Sequence, residues 1–259
     1  MIEAQKRFKY IYGPVPSWRL GRSLGVDLVS GEKACPFECI YCQLGKTINH
    51  SKERRIFNPM EEIIKELESL PVLEIDYITL SGTGEPTLAL NLGEVILEIK
   101  KRFKSPLAVL TNSVFLSDAA VRKELSPADL IVAKLDAVND ETLAMINRPA
   151  ERTLFDDILK GIKAFNSEYP NKLALQIMFM PQNKRYAPLL GSLAKQINPV
   201  EVQVNTPLRP CPVKPLSPEE LKKIKEFFDP LKSYSVYDMP RPGAEPMDIE
   251  QTKKRRPVI

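Results

Sequence analysis

The sequence contains no long hydrophobic run, and this absence argues against a membrane-spanning protein. No stretch of about 18 apolar residues occurs in the chain, so no transmembrane helix is predicted. The N-terminus, Met1-Ile2-Glu3-Ala4-Gln5-Lys6, also lacks the apolar core of a signal peptide. Internal repeats of solenoid length and low-complexity blocks are absent as well. We expect a cytoplasmic globular protein without a membrane partner, and a monomer.

Cysteine and histidine are scarce, and the positions of these residues are informative. The chain has four cysteines and one histidine, His50. Three cysteines, Cys35, Cys39 and Cys42, fall within eight residues with the spacing C-x3-C-x2-C. A disulfide pairs two cysteines, whereas three thiolates can hold three irons of a cubic 4Fe–4S cluster and leave the fourth iron open to a substrate or cofactor. A structural zinc loop, with His50 as the fourth ligand, is the alternative.

The hydrophobic content, the charged content and the net charge say little about the partners of this protein. Hydrophobic residues make up 43% of the chain and charged residues 27%, as in an ordinary soluble domain. The net charge of +4 permits a polyanionic partner but does not by itself argue for one. Thiols that are kept as metal ligands fit a reducing cytoplasm.

Strand-like and helix-like segments alternate along most of the chain, which favours an α/β fold. Such alternation predicts parallel strands joined by right-handed crossovers. Six units are fewer than the eight of a closed barrel, so we predict a partial (β/α)6 TIM-like barrel of parallel strands in a single domain. A doubly wound sheet is the alternative. The predicted strands are 23–29, 74–80, 107–111, 129–134, 173–179 and 201–205.

The barrel is predicted to span residues 22–230, between two segments of different character. Residues 1–21 contain prolines and glycines that favour an ordered loop or short hairpin. Residues 231–259 are rich in proline and are expected to form an extended covering segment. The basic run Lys253-Lys254-Arg255-Arg256 is typical of a solvated tail, with nucleic-acid contact as the alternative. Arg19 and Arg22 flank the first strand, where they would either reach anionic groups of a ligand or stay solvated.

Polar residues follow the predicted strands, and in a parallel barrel the carboxyl ends of the strands form the active-site rim. Gly82 and Gly84 after the second strand would let a ligand approach the backbone closely, unless they only form a tight turn. Lys134 and Asp136 after the fourth strand are the candidate catalytic residues, although an ordinary ion pair is the alternative role for Lys134. The remaining candidates at this rim are Thr83, Glu85, Asn112, Ser113, Met178 and Asn205.

The cysteine loop and the glycine-rich turn together resemble the radical S-adenosylmethionine (radical SAM) superfamily. The resemblance covers roughly residues 10–210 and implies a 4Fe–4S cluster bound by Cys35, Cys39 and Cys42. It implies that Tyr41 lies near the adenine of SAM and that the backbone of Gly82, Thr83, Gly84 and Glu85 holds the amino group. It further implies that the methionine, ribose or adenine is faced by Asn112, Ser113, Asp136, Met178 and Asn205.

Several shorter motifs resemble the subgroup of wybutosine-synthesis enzymes, which modify tRNA. They are Tyr12-Gly13-Pro14-Val15-Pro16-Ser17 with Leu20-Gly21-Arg22-Ser23-Leu24-Gly25-Val26-Asp27, Leu135-Asp136-Ala137, Ile146-Asn147-Arg148-Pro149 and Gln203-Val204-Asn205-Thr206-Pro207. This chain departs from that subgroup in one respect, because only Cys211 remains where those enzymes hold a second cluster. The subgroup's relatives often continue beyond the C-terminal segment into a small helical domain.

Three functions remain open at this stage. The first is a radical SAM enzyme that receives electrons from a donor such as ferredoxin or flavodoxin and acts on a substrate for which a tRNA base is the leading candidate. The second is an activating enzyme that generates a radical on a protein partner. The third is a non-enzymatic iron–sulfur protein, against which the glycine-rich turn argues.

Overall fold

The chain folds around one eight-stranded sheet whose strands follow one another in sequence order. The computed structural model describes residues 8–150 and 153–257. The first two strands form an antiparallel hairpin, and each later strand pairs in parallel with the strand before it. The strands are β1 Ile11–Ser17, β2 Gly21–Val26, β3 Tyr77–Leu80, β4 Leu107–Thr111, β5 Leu130–Lys134, β6 Leu173–Met178, β7 Glu201–Asn205 and β8 Ser233–Ser235.

Helices connect most of these strands, as parallel pairing requires. Each longer helix has one apolar face in the core; α1, for example, buries Ile63, Ile64 and Leu67. The last connecting helix begins with a capping box, in which Ser217 and Glu220 bond to each other's backbone N–H. The helices are α1 Met60–Glu68, α2 Leu92–Arg102, α3 Ala119–Leu125, α4 Asp140–Ile146, α5 Phe155–Glu168, α6 Ala187–Ile197, α7 Pro218–Lys225 and α8 Ile249–Arg255.

The predicted partial TIM-like barrel is confirmed, with corrections at both ends. The sheet has seven parallel strands, β2 to β8, rather than six, and within the described residues the outer strands β1 and β8 do not pair. The N-terminal hairpin adds β1 as an edge strand, a position that tolerates proline. The C-terminal segment contains β8 and α8 and is therefore not simply extended. The ends of the two terminal segments, residues 1–7 and 258–259, lie outside the described residues.

The second strand ends earlier than the predicted span 23–29, and this shift positions the site. After Val26 the chain leaves the sheet at Asp27, whose backbone N–H donates to the carbonyl of Tyr10 at 2.8 Å. The Asp27 side chain is fully buried and bonds to residues outside β2. The chain then runs into the cysteine loop at the carboxyl end of the sheet.

Polar side chains line the inner face of the curled sheet. Ser23 and Thr79 on neighbouring strands bond through their hydroxyls at 2.5 Å, and Gln176 and Gln203 are buried on later strands. Because a buried polar face needs partners, this lumen is suited to a polar ligand. Among the described helices, none combines the length and apolarity needed to cross a membrane.

Candidate active site

A cavity of about 310 Å³ lies inside the curled sheet and contains several of the predicted site residues. It extends from the β1–β2 turn to the cysteine loop. Tyr41 and Cys42 line it from that loop, and Lys134, Met178 and Asn205 line it from strands β5, β6 and β7. The predicted convergence of these five residues at one site is therefore present in the structure.

The cysteine loop is held in place by backbone hydrogen bonds to two other segments. Cys35 N–H donates to the carbonyl of Asn49 at 3.1 Å. Glu38 N–H donates to Asn147 at 3.0 Å, and Ile40 N–H donates to Ile146 at 3.0 Å. The end of α4 therefore fixes the loop. This gives a structural role to the Ile146-Asn147-Arg148-Pro149 motif.

All four cysteines are free and partly exposed. Cys35 Sγ lies 3.4 Å from the N–H of Phe37 and 3.6 Å from the side-chain amide of Asn112. The amide of Asn147 lies 3.4 Å from Cys39 Sγ. Burial raises the pKa of Cys35, and burial raises the pKa of Cys39 to about 11. A positive centre is therefore needed to hold these thiols as thiolates.

The donor set fits a cluster better than a single zinc ion. Among the described residues, no three His, Cys, Asp or Glu side chains lie close enough together to bind one metal ion. His50, the proposed fourth zinc ligand, has its Nε2 3.1 Å from the carbonyl of Pro36. A cubane instead presents separate irons, each of which takes its own thiolate, and three thiols on one loop suit that arrangement.

Cys211 lies on the loop after β7 and not on the cysteine loop. Its thiol donates to the carbonyl of Val213 at 3.3 Å. It packs in a small apolar cluster with Tyr41 and Met178. It is thus a free thiol near the site.

Asp136 is buried beneath Tyr41 and does not face the cavity. Its carboxylate accepts hydrogen bonds from the Tyr41 hydroxyl, from Asn147 Nδ2 at 3.1 Å and from Met178 N–H at 2.7 Å. Lys134 Nζ lies 3.5 Å away and 4.9 Å from the centre of the Tyr41 ring. In this structure Asp136 therefore positions Tyr41, and its catalytic role stays a prediction. Lys134 combines an ion pair with a place on the cavity wall.

The glycine-rich turn packs closely against the protein itself. A Cβ added to Gly84 would lie 1.9 Å from the carbonyl oxygen of Ala34, and one added to Gly82 would lie 2.1 Å from Cγ of Asp27. Thr83 N–H donates to the same Asp27 carboxylate at 3.1 Å. Glycine is needed because the turn touches Ala34 beside the cysteine loop and Asp27 after β2. The described cavity lining includes Ser81 but no residue of 82–85.

Glu85 ties the glycine-rich turn to the end of β4. Its buried carboxylate accepts from both the N–H and the hydroxyl of Thr87, from the Thr111 hydroxyl at 2.7 Å and from Asn112 N–H at 2.7 Å. Burial raises its pKa, and these hydrogen bonds oppose the rise. Ser113 is also fully buried and donates to the carbonyl of Lys134, so it lies behind the cavity wall.

Sequence reasoning missed the basic residues that the C-terminal run brings into the site. Arg256 lines the cavity, together with Arg19, Arg209 and Arg241. Arg255 is buried in an ion pair with Asp27. The sequence of the run 253–256 is typical of a solvated tail, because neighbouring residues in the sequence do not distinguish a buried arginine from an exposed one. Arg22, in contrast, bonds Asp76 and Glu74 at the surface.

Comparisons with known proteins agree with the family resemblance that the cysteine loop and the glycine-rich turn indicate. The family described as "Radical SAM superfamily" matches residues 32–190, more than half of the chain. A UPF0026 protein of Synechocystis sp. is 46% identical over 211 residues, which cover 80% of this chain and 78% of that protein. A UPF0026 protein of Methanocaldococcus jannaschii is 37% identical, over 84% of this chain and 69% of its own length.

Among solved structures, SuiB of Streptococcus suis bound to S-adenosylmethionine is similar in fold. The TM-score is 0.61 at 14% identity, and the similarity covers 83% of this chain and 50% of SuiB. The chain therefore spans about half the length of SuiB. At this identity the likeness concerns the fold.

Proposed function

The chain belongs to the radical SAM superfamily and, within it, to the UPF0026 proteins, and we propose that its cysteine loop and barrel cavity act together to abstract hydrogen from a bound substrate. Superfamily membership makes it an enzyme whose cofactors are a 4Fe–4S cluster and SAM. When bound and reduced, the cluster would cleave SAM to methionine and a 5′-deoxyadenosyl radical that takes the hydrogen atom.

The residues of this chain would hold and orient these groups. Cys35, Cys39 and Cys42 are the proposed cluster ligands, and Asn112 and Asn147 place amide N–H groups beside two of the sulfurs. Hydrogen bonds to thiolate sulfur are among the factors that set a cluster's reduction potential. The single observation that carries the proposal is the three-thiol loop at the carboxyl end of β2, with Cys42 on the wall of the cavity.

The residues proposed to contact SAM are those that line the cavity. We propose that the Tyr41 ring, Met178 and Asn205 contact SAM, since all three line the cavity. The turn 82–85 would contribute through its backbone at the cavity edge, where Ser81 lies, and would also fix the cysteine loop. Asn112 would face the cluster through Cys35, and Lys134 would be the charged group nearest the Tyr41 ring.

The substrate and the electron donor belong to the proposal as well. A small one-electron carrier such as ferredoxin or flavodoxin would reduce the cluster. A tRNA base is the substrate that the motif resemblance favours; the comparisons above do not support that narrower placement, and it stays a prediction.

The proposal is tested by anaerobic reconstitution with iron and sulfide, reduction with dithionite and measurement of 5′-deoxyadenosine, with and without total tRNA. We expect product from the wild-type protein and none from Cys39→Ala. Cys211→Ala is the matched control, because it removes a thiol outside the loop, and it should retain both iron and product. Cleavage that survives in Cys39→Ala would show that the cluster assignment is wrong.

A further inference from the structure

The cavity wall carries an excess of positive charge. Its described lining includes Arg19, Arg209, Arg241, Arg256 and Lys134, but no aspartate or glutamate. Lys134 has Asp136 behind it, 3.5 Å away. The four arginines form no salt bridge with any described carboxylate. Arg241 is exposed and the other four cations are partly buried. Like charges grouped around one cavity repel one another, so the cavity suits a ligand that brings negative charge.

Each of three guanidinium groups is held by a neutral partner that leaves most of its donors free. Arg19 Nη1 donates to Gln203 Oε1 at 3.2 Å, and its Nε is buried without a hydrogen-bond partner. Arg209 Nη1 donates to Gln43 Oε1 at 3.0 Å. Arg256 Nη2 lies 3.0 Å from Ser81 Oγ, and its Nη1 donates to the backbone carbonyl of Arg255. The three side chains are thus positioned but not neutralised.

The arginines also act on one another electrostatically. Burial, followed by the charges of Arg256 and Arg209, lowers the pKa of Arg19 to about 9. Burial and the charge of Arg256 lower the pKa of Arg209 to about 10. Arginine stays protonated in proteins, so these shifts indicate how unfavourable the positive charges are in the absence of an anion.

The three groups surround one space from three parts of the fold. Arg19 lies in the β1–β2 turn, Arg209 follows β7, and Arg256 follows α8. Gln43, which holds Arg209, comes directly after Cys42, and its own amide donates to the carbonyl of Arg255 at 3.0 Å. A ligand bound by these arginines would therefore lie in the same cavity as the cysteine loop.

We propose that the substrate is a small molecule with a phosphate group that Arg19, Arg209 and Arg256 bind. A single carboxylate would leave most of this charge unbalanced. A phosphate monoester carries nearly two negative charges and three strong acceptor oxygens, which suit several guanidinium groups. This inference rests on the proposed cleavage of SAM in the same cavity, and it names a small phosphorylated molecule as the substrate in place of the tRNA base that the motif resemblance favours.

The test is a titration of reconstituted, unreduced holoenzyme with inorganic phosphate, followed by tryptophan fluorescence. Trp18 is the only tryptophan, and it lines the cavity with its ring 5.6 Å from the guanidinium carbon of Arg19. We expect saturable quenching by phosphate and weaker binding of malonate, a dicarboxylate. We also expect Arg209→Gln and Arg256→Gln each to weaken phosphate binding about tenfold.

Arg185→Gln is the matched control, since this arginine is exposed and lies outside the cavity. It should bind phosphate as the wild type does. Thermal unfolding without phosphate checks that the variants fold. We expect phosphate to raise the melting temperature of the wild type and of Arg185→Gln more than that of Arg209→Gln. If Arg256→Gln does not fold, Arg209→Gln alone tests the inference.

Four results would overturn the inference. They are equal phosphate binding by the wild type and Arg209→Gln, malonate binding as tight as that of phosphate, displacement of phosphate by SAM, and displacement by tRNA at lower concentration than by small phosphate esters. The third would assign the arginines to the SAM carboxylate, and the fourth would assign the phosphate to a nucleic acid. SAM cleavage without phosphate binding would leave the proposed function intact, whereas phosphate binding without cleavage would contradict that function alone.

Discussion

Arg255 and Asp27, 228 residues apart in the chain, form a buried ion pair that ties the last helix to the end of β2. Arg255 Nε lies 2.9 Å from Asp27 Oδ2, and the two side chains are only 3% and 0% exposed. The same carboxylate oxygen accepts from the N–H and hydroxyl of Thr83. The pair therefore joins α8, the strand before the cysteine loop and the glycine-rich turn at one point.

Removing the cation of this pair should destabilise the whole site. In Arg255→Met, Asp27 stays buried without its ionic partner, and we expect the free energy of unfolding to fall by about 3–5 kcal/mol. Urea denaturation measures the change. Lys254→Met, at the exposed neighbouring position, should change it by less than about 0.5 kcal/mol. Equal stability of the two variants would show that the pair does not hold the helix in place.

Gly84→Ala should loosen the contact between the glycine-rich turn and the cysteine loop. The added Cβ would meet the carbonyl oxygen of Ala34, which is backbone and cannot rotate away. We expect a loss of about 1–3 kcal/mol in stability and a lower iron content after reconstitution. Gly243→Ala is the control, because nothing lies within 4 Å of its added Cβ. A Gly84→Ala protein that retains iron as well as Gly243→Ala would contradict this account of the turn.

The buried carboxyl of Glu85 should give stability a distinctive pH dependence. Burial raises its pKa in the folded state. A raised pKa means that the folded protein binds the proton more tightly, so this contribution is complete below about pH 4.3, the unfolded value, and is lost as pH rises through the folded pKa. Glu85→Gln should remove that fall from a plot of unfolding free energy against pH.

Glu168→Gln is the control with the opposite sign. Its hydrogen bond with Arg122 lowers the pKa of Glu168, so its contribution is present above the unfolded pKa and is lost as pH falls through the folded pKa. If the plot of unfolding free energy against pH is the same for the wild type and Glu85→Gln as pH rises above about 4.3, the result would contradict a raised pKa for Glu85.

Tyr41→Phe separates the role of the ring from that of the hydroxyl. The ring lines the cavity, while the hydroxyl bonds to Asp136, Asn147 and the thiol of Cys39 behind it. We expect a stability loss of about 1.5–3 kcal/mol, because a bond to a carboxylate is lost, while 5′-deoxyadenosine formation persists. Tyr237→Phe, which loses a bond to the carbonyl of Leu216 nearer the surface, should cost less. A stable Tyr41→Phe protein without SAM cleavage would show that the hydroxyl acts on the cofactor.

The barrel could be predicted because most of its strands and helices have a recognisable pattern within their own short stretch of sequence. The strand 201–205 appears where the sequence predicted it. Strand β8 has only three residues and its pairing comes from β7, so its own sequence carries too little periodicity to reveal it.

The residues of the candidate site could be predicted only where they belong to a sequence motif or to the end of a predicted strand. The cysteine spacing and the strand ends identified Tyr41, Cys42, Lys134, Met178 and Asn205. The buried carboxylates of Asp136 and Glu85 were expected at the ligand, because sequence shows that a charge lies at the rim but not which way it points. The arginines of the cavity come from the two ends of the chain and the loop after β7, and only the folded structure brings them together.

A cluster that is held by the three-cysteine loop and binds SAM underlies every functional role proposed for this cavity. Electron paramagnetic resonance of the reduced, reconstituted protein tests this directly, with spectra recorded before and after SAM is added. We predict a 4Fe–4S signal whose shape changes when SAM is added, because the open iron gains a ligand. A signal that SAM leaves unchanged would contradict the central claim.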